Sequence, residues 1–246
     1  MIYKIKKLLL KLLVCCVVAT PVIAADGWQF TTYVGASYSA DAPLKIRLAD
    51  QSNIDMTADY DNRSFEDSHY WIGRFEKWHH NKALGFEVVH HKVYLKNTTS
   101  IVEDFSISDG FNLVYVNWAK KSKNAILRYG LGVVIGHPDV TIKDRDQFVT
   151  KGSEGLYLSG PSVQISYERE LWQKKLTVVT LETKGSLSYA KVPVSNNDDE
   201  YAETVDVAFH IALGVGRKLP KQASLTEKAL FLSPYLYSKA YGFILN

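Results

Sequence analysis

His90, Lys92 and Tyr94 stand at i, i+2 and i+4, with Glu87 three residues before the first of them. In an extended strand that spacing puts the three side chains on one face. Histidine can shuttle a proton near neutral pH, and imidazole with carboxylate can hold a divalent metal. Glu87, His90 and Lys92 are therefore the candidate catalytic residues. A metal that activates oxygen commonly takes two imidazoles and one carboxylate and keeps positions open. His90, His137 and His210 are the candidate imidazole ligands, with Asp139 and Asp206 as carboxylates, provided that their strands are neighbours. A divalent metal is the cofactor such a set would hold; the sequence does not say which. A competing reading makes His90, Lys92, Glu168, Glu182, Lys184 and Asp206 an internal network of ion pairs and hydrogen bonds. His79, His80 and His91 read as turn or interfacial residues.

Hydrolytic chemistry leaves a fainter trace. A serine nucleophile needs a histidine within hydrogen-bond reach, itself oriented by an acid. No His-x-Ser pair occurs: His210 is followed by Ile211 and Ala212, and Ser186 and Ser188 have no histidine beside them in sequence. The carboxylates of residues 40–68 do not match the spacing of a calcium loop and read as a solvated surface.

The elements that must position these residues are strands. After residue 24 the chain reads as about eight strand-like runs. Long polar connections at 40–68, 98–109, 143–155 and 195–203 alternate with short ones at 81–83, 120–124 and 173–175. An even number of antiparallel strands with long loops at one rim and tight turns at the other predicts an all-β, up-and-down transmembrane barrel. The alternation within runs agrees. Val205, Val207, Phe209, Ile211, Leu213 and Val215 interleave with Asp206, Ala208, His210, Ala212, Gly214 and Gly216. Pro161, Val163, Ile165 and Tyr167 interleave with Ser162, Gln164, Ser166 and Glu168. Such a polar face makes a poor soluble core, because unpaired buried polar groups are costly; it suits a narrow lumen. Trp78, Trp118 and Trp172, beside the short turns, suggest an aromatic girdle. The runs around His69–His80 and Leu84–Asn97 carry charge on both faces near their ends, which leaves their registers open.

Residues 1–24 read as a Sec-type signal peptide. Lys4, Lys6 and Lys7 precede an apolar stretch, and Val22-Ile23-Ala24 forms a small-residue cleavage site. Cys15 and Cys16 both lie in it, so the expected mature chain has no disulfide and no thiolate chemistry. The leader also holds four of the 29 basic residues, leaving 25 against 26 acidic ones, and no basic patch argues for nucleic acid. The barrel is expected over residues 25–219. Residues 220–246 form an extension in which Ser224-Leu225-Thr226-Glu227 suggests a capped short helix, with a ten-strand barrel as the alternative.

Several motifs, taken together, resemble a known group. Gly85-Phe86-Glu87-Val88-Val89-His90-His91-Lys92-Val93-Tyr94 is similar to a G-x-E-φ-φ-H-x-K-x-Y stretch in small outer-membrane barrels of the lipid A oxidase-like type. Asp109-Gly110-Phe111-Asn112-Leu113, Tyr129-Gly130-Leu131-Gly132 and Glu182-Thr183-Lys184 resemble further strands of that group, in the same order. His137-Pro138 departs from it, since its members tend to read Pro-His, and so does the tail. The resemblance implies an eight-stranded barrel in a Gram-negative outer membrane. Its expected partners are outer-membrane lipid, lipopolysaccharide and the barrel-insertion machinery. The activity implied is oxygen-dependent oxidation of the proximal glucosamine of lipid A. The reading that competes with it is a non-enzymatic barrel with a structural, adhesive or narrow-pore role.

Overall fold

A computed structural model describes residues 26–66, 69–150 and 155–224. The leader and most of the tail lie outside those residues, as do the expected helix and the possible extra strands. In chain order the strands are β1 (Gly27–Ser39), β2 (Ala42–Arg47), β3 (Ile54–Ala58), β4 (Tyr60–Asp61), β5 (Trp71–His79) and β6 (Lys82–Leu95). There follow β7 (Val102–Ser122), β8 (Ala125–Ile142), β9 (Phe148–Val149), β10 (Tyr157–Lys174), β11 (Thr177–Pro193) and β12 (Tyr201–Pro220).

Eight of these, β1, β5, β6, β7, β8, β10, β11 and β12, form an antiparallel up-and-down barrel, each paired with its neighbours in that order. It closes where β1 meets β12, from Gly27↔Pro220 to Ser39↔Ala208. The tight turns sit at one rim, where His80, Lys123 and Lys175 take positive φ. At the other rim β2 and β3 make a hairpin that pairs on the end of β12. The connection expected at 98–109 is shorter than its composition suggests. Most of it continues β7, and only residues 96–101 link β6 to β7.

The alternation read from sequence sets the wall. Val163, Ile165, Tyr167, Phe209, Ile211 and Leu213 point outward and are exposed, while Ser162, Gln164, Ser166, Glu168, Asp206 and His210 point inward and are buried. An apolar outer belt round a polar, filled interior is the inside-out pattern of a bilayer-spanning barrel. Glycine makes room inside it: a Cβ at Gly214 would lie 2.4 Å from the Tyr33 ring and 2.6 Å from Thr180 Oγ1. The girdle expectation needs one correction. Trp118 and Trp172 are half-exposed on the outer wall, but Trp78 turns inward and packs with Ala83, Ala119 and Ile126. That cluster closes the lumen beside the tight turns.

The far end is filled differently. Leu44 and Ile46 from the β2–β3 hairpin join Val93, Val102, Phe105, Ile107, Val140 and Val192 in a buried apolar cluster. The wall also has a seam. β1 pairs with β5 only up to Val34↔Trp71, although β1 runs on to Ser39. Residues 60–66 occupy the gap: Ser64 Oγ accepts the Ser37 N–H at 3.1 Å and Asn62 Oδ1 accepts the Ser39 N–H at 2.8 Å. Arg63, at φ 41°, turns the chain between them.

Candidate functional site

The lower lumen is an ion-pair lattice drawn from seven of the eight wall strands. Arg74 donates through Nε to Glu87, through Nη1 to Glu168 at 2.9 Å and through Nη2 to Glu182 Oε1 at 2.8 Å. Arg128 holds Glu76 at 2.7 Å and lies 3.3 Å from Glu168. Lys184 bridges Glu87 and Glu182, the latter at 3.3 Å. Nearer the tight turns, Lys121 and Lys218 share Glu170. Arg74, Arg128, Lys121, Lys184 and Lys218 thus face Glu76, Glu87, Glu168, Glu170 and Glu182, and the charges balance. Balance is required, because an unpaired ion in this setting costs several kcal/mol.

Glu87 is a counter-ion in that lattice. Besides Arg74 and Lys184 it accepts from Gln164 Nε2 at 2.9 Å and Asn117 Nδ2 at 3.2 Å. Both its oxygens are engaged and its side chain is fully buried. Its hydrogen-bond and ion-pair partners are Arg74, Lys184, Gln164 and Asn117, not His90 or Lys92. Glu168, Glu182 and Lys184 take the lumenal places read from the sequence.

Above the lattice lies a layer of imidazoles and hydroxyls. His210 Nε2 is 2.9 Å from Ser186 Oγ and its Nδ1 is 3.0 Å from the Tyr70 hydroxyl. His91, 5.4 Å from His210 between ring centres, sits with Nδ1 3.0 Å from Ser37 Oγ and Nε2 3.2 Å from Asp206 Oδ2. Ser39 Oγ donates to Asp206 Oδ1 at 2.5 Å. His91 is therefore lumenal and buried, not the interfacial residue its sequence neighbourhood suggests. The parity that carries Glu87 and Val89 inward carries His91 inward as well.

The other sequence-named residues are dispersed. His90 lies on the outer wall with Leu84 and Phe86; its ring stacks on Trp71 at 5.7 Å and its Nδ1 is 2.9 Å from Asn112 Oδ1. Strand alternation puts it on the opposite face from Glu87, and it takes no place in the lumenal network. Lys92 is buried where β6 and β7 shift register between His91 and Val93, with Nζ 5.6 Å above the Tyr94 ring. His137 is in the upper part of β8, against Gly155, and Asp139 accepts from Ser108 and Thr150. His90, His137 and His210 do not converge. Among the described residues, the one group of three or more metal-ligating side chains with ligand atoms within 4.8 Å is Asp26, His79 and His80, at a tight turn. The proposed imidazole set does not fit a single metal ion. Sequence reading also missed both serine–histidine pairs, because Ser37 and His91, like Ser186 and His210, come from different strands.

No family model matches the chain, and no curated protein matches it. Solved structures do. The outer membrane protein AlkL is 13% identical, with a TM-score of 0.48 over 85% of this chain and 97% of its own. Neisserial surface protein A is 7% identical, with a TM-score of 0.38 over 80% and 99%. The outer membrane protease OmpT from Escherichia coli is 10% identical, with a TM-score of 0.40 over 81% and 99%. These are likenesses of fold.

Proposed function

We propose that the chain is an integral protein of a Gram-negative outer membrane, closed to solutes, whose working surface is turned to the lipid and lipopolysaccharide around it. The observation that carries this reading is the pairing of an apolar outer belt with a lumen sealed along its length. Trp78 and Ile126 close one end, the Arg74–Glu182 lattice fills the middle and the Phe105 cluster fills the other end. An eight-stranded barrel filled in this way leaves no aqueous path. Purified protein in planar bilayers is expected to show no steady conductance; sizeable, sustained channels would overturn the reading.

The finer reading, oxidation of the proximal glucosamine of lipid A, follows the resemblance of the β6 motif. His90 is the motif residue best placed for it: it shares the outward parity of Leu84 and Phe86 and lies buried beneath Trp71 in the wall. Glu87 supports that wall from inside. No step is routed through a metal, because the imidazoles named for one do not meet. The test is the mass of lipid A from otherwise identical cells with and without the protein. A gain of one oxygen, lost in His90→Ala, supports oxidation. Unchanged lipid A with the barrel correctly inserted leaves a non-enzymatic surface barrel.

A further inference from the structure

We propose that Ser37, His91 and Asp206 form a nucleophilic triad that cleaves an acyl ester of an outer-leaflet lipid, entering through the seam between β1 and β5. The hydrogen bonds run in the order such chemistry needs. Asp206 accepts from His91 Nε2 at 3.2 Å, which fixes the tautomer and leaves the Nδ1 lone pair facing Ser37 Oγ at 3.0 Å. Ser39 donates to the other Asp206 oxygen at 2.5 Å and steadies the carboxylate. His91 and Asp206 are buried, while Ser37 is partly exposed and lines a surface pocket of about 340 Å³ with Tyr38, Asn62, Ser64 and Phe65. A buried base and acid behind a partly exposed serine is the arrangement that activates the hydroxyl.

The place of the pocket in the wall names the substrate class. On β1 the outward row ends at Tyr38, just before the polar Asp41, so Ser37 lies at the upper edge of the apolar belt. Ester linkages of an outer leaflet occupy that level, between acyl chains and head groups. Tyr38 and Phe65 flank the pocket and are 63% and 73% exposed, an aromatic rim suited to an acyl chain. Past Val34, the Ser37 and Ser39 amides of β1 are met on the β5 side by the side chains of Ser64 and Asn62 rather than by the backbone of a paired strand, which would deny access. This level in the bilayer rests on the membrane reading above; the triad geometry does not.

In the reaction, Ser37 Oγ bonds to the ester carbonyl carbon as its proton passes to His91 Nδ1. The nearest hydroxyl, Ser64 Oγ at 3.5 Å, is placed to donate to the developing oxyanion. The carbon–oxygen bond to the lipid alcohol breaks, and the alcohol leaves with the proton from Nδ1. Water then attacks the acyl carbon, giving its proton to Nδ1. The bond to Ser37 breaks and the proton returns to the serine. Ester and water become acid and alcohol.

The test uses the full-length protein folded in detergent, with a serine-directed fluorophosphonate as probe and a p-nitrophenyl acyl ester as substrate. Peptide mass spectrometry is expected to find the phosphonyl group on Ser37. Ser37→Ala and His91→Gln should lower ester turnover by about 100-fold or more. Asp206→Asn, which changes a positioning residue, should lower kcat and leave KM in place. Each variant is compared by its mobility shift between unheated and boiled samples, which reports the folded barrel. A folded protein that carries the label on Ser186, or carries none, overturns the triad and leaves the barrel reading intact. Label on Ser37 in a protein that carbonate strips from membranes would instead sustain the triad and overturn the bilayer level.

Discussion

From Thr180 to Ser186, β11 turns Thr180, Glu182, Lys184 and Ser186 inward and Leu181 outward; beyond Tyr189 it turns Ala190 and Val192 inward and Lys191 outward. The backbone and its parity do not change, yet the polarity of both faces inverts. The lower region has lipid outside, so the interior takes the charges and must neutralise each of them. The upper region stands above the belt with water outside, and its interior reverts to the apolar core of a soluble sheet. One wall thus serves two solvents. The layer of His91, His210 and Asp206 lies at the boundary, where neither an ion lattice nor an apolar core is complete.

The comparison can be broken most sharply in the lower region. Arg74→Ala removes one cation from three buried carboxylates and should cost about 3–5 kcal/mol of unfolding free energy, read by denaturant titration in bilayers. A loss below about 1 kcal/mol would mean that the lattice is hydrated rather than closed. Next come two substitutions on the outer wall with opposite expectations. Ile165→Lys, opposite Gly185 at mid-wall, should cost about 2–4 kcal/mol, because the cation enters lipid. Lys191→Leu, above the belt, should stay within about 0.5 kcal/mol. Equal costs at the two positions would erase the boundary. Gly214→Ala should cost about 1–3 kcal/mol by overpacking against Tyr33.

The smallest effect is a local one in the upper region. Burial alone would raise the Glu200 carboxyl, but Ser195, the Ala49 N–H and Arg145 outweigh it and hold it below the usual carboxylate range. A depressed folded pKa gives stability that is present above the unfolded value of about 4.5 and lost as pH falls through the folded one. Amide exchange in residues 194–200 should therefore accelerate below that pH while the β10–β11 pairing stays protected.

Most of the barrel could be read from the chain, and the reason is visible in β10, β11 and β12. Their alternation keeps one phase, in β10 from Pro161 to Glu170 and in β11 and β12 over the lipid-facing stretch, so Phe209, Ile211 and Leu213 declare the wall without help from their neighbours. The ends of β6 and β7 were harder. Val93 and Phe105 turn inward beyond the belt, where polarity inverts, and register shifts at His91/Val93 and Ile107/Phe111 displace the alternation. The site was less legible. Glu87 and His90 share a motif but stand on opposite faces. Ser37, His91 and Asp206 share a layer but come from β1, β6 and β12. Proximity across strands depends on barrel closure, and a linear pattern carries no trace of it.

Closure has a further consequence, for how the molecule is made. Gly27 pairs with Pro220, so the first wall strand waits for the last. Until β12 is in place, β1 and β11 each present a row of bare amides and carbonyls, at several kcal/mol apiece in hydrocarbon. The loop that must close spans nearly the whole chain, which makes the final pairing slow as well as obligatory. A partly delivered chain therefore has no stable partial insertion to rest in. It reaches the bilayer complete, or it stays outside.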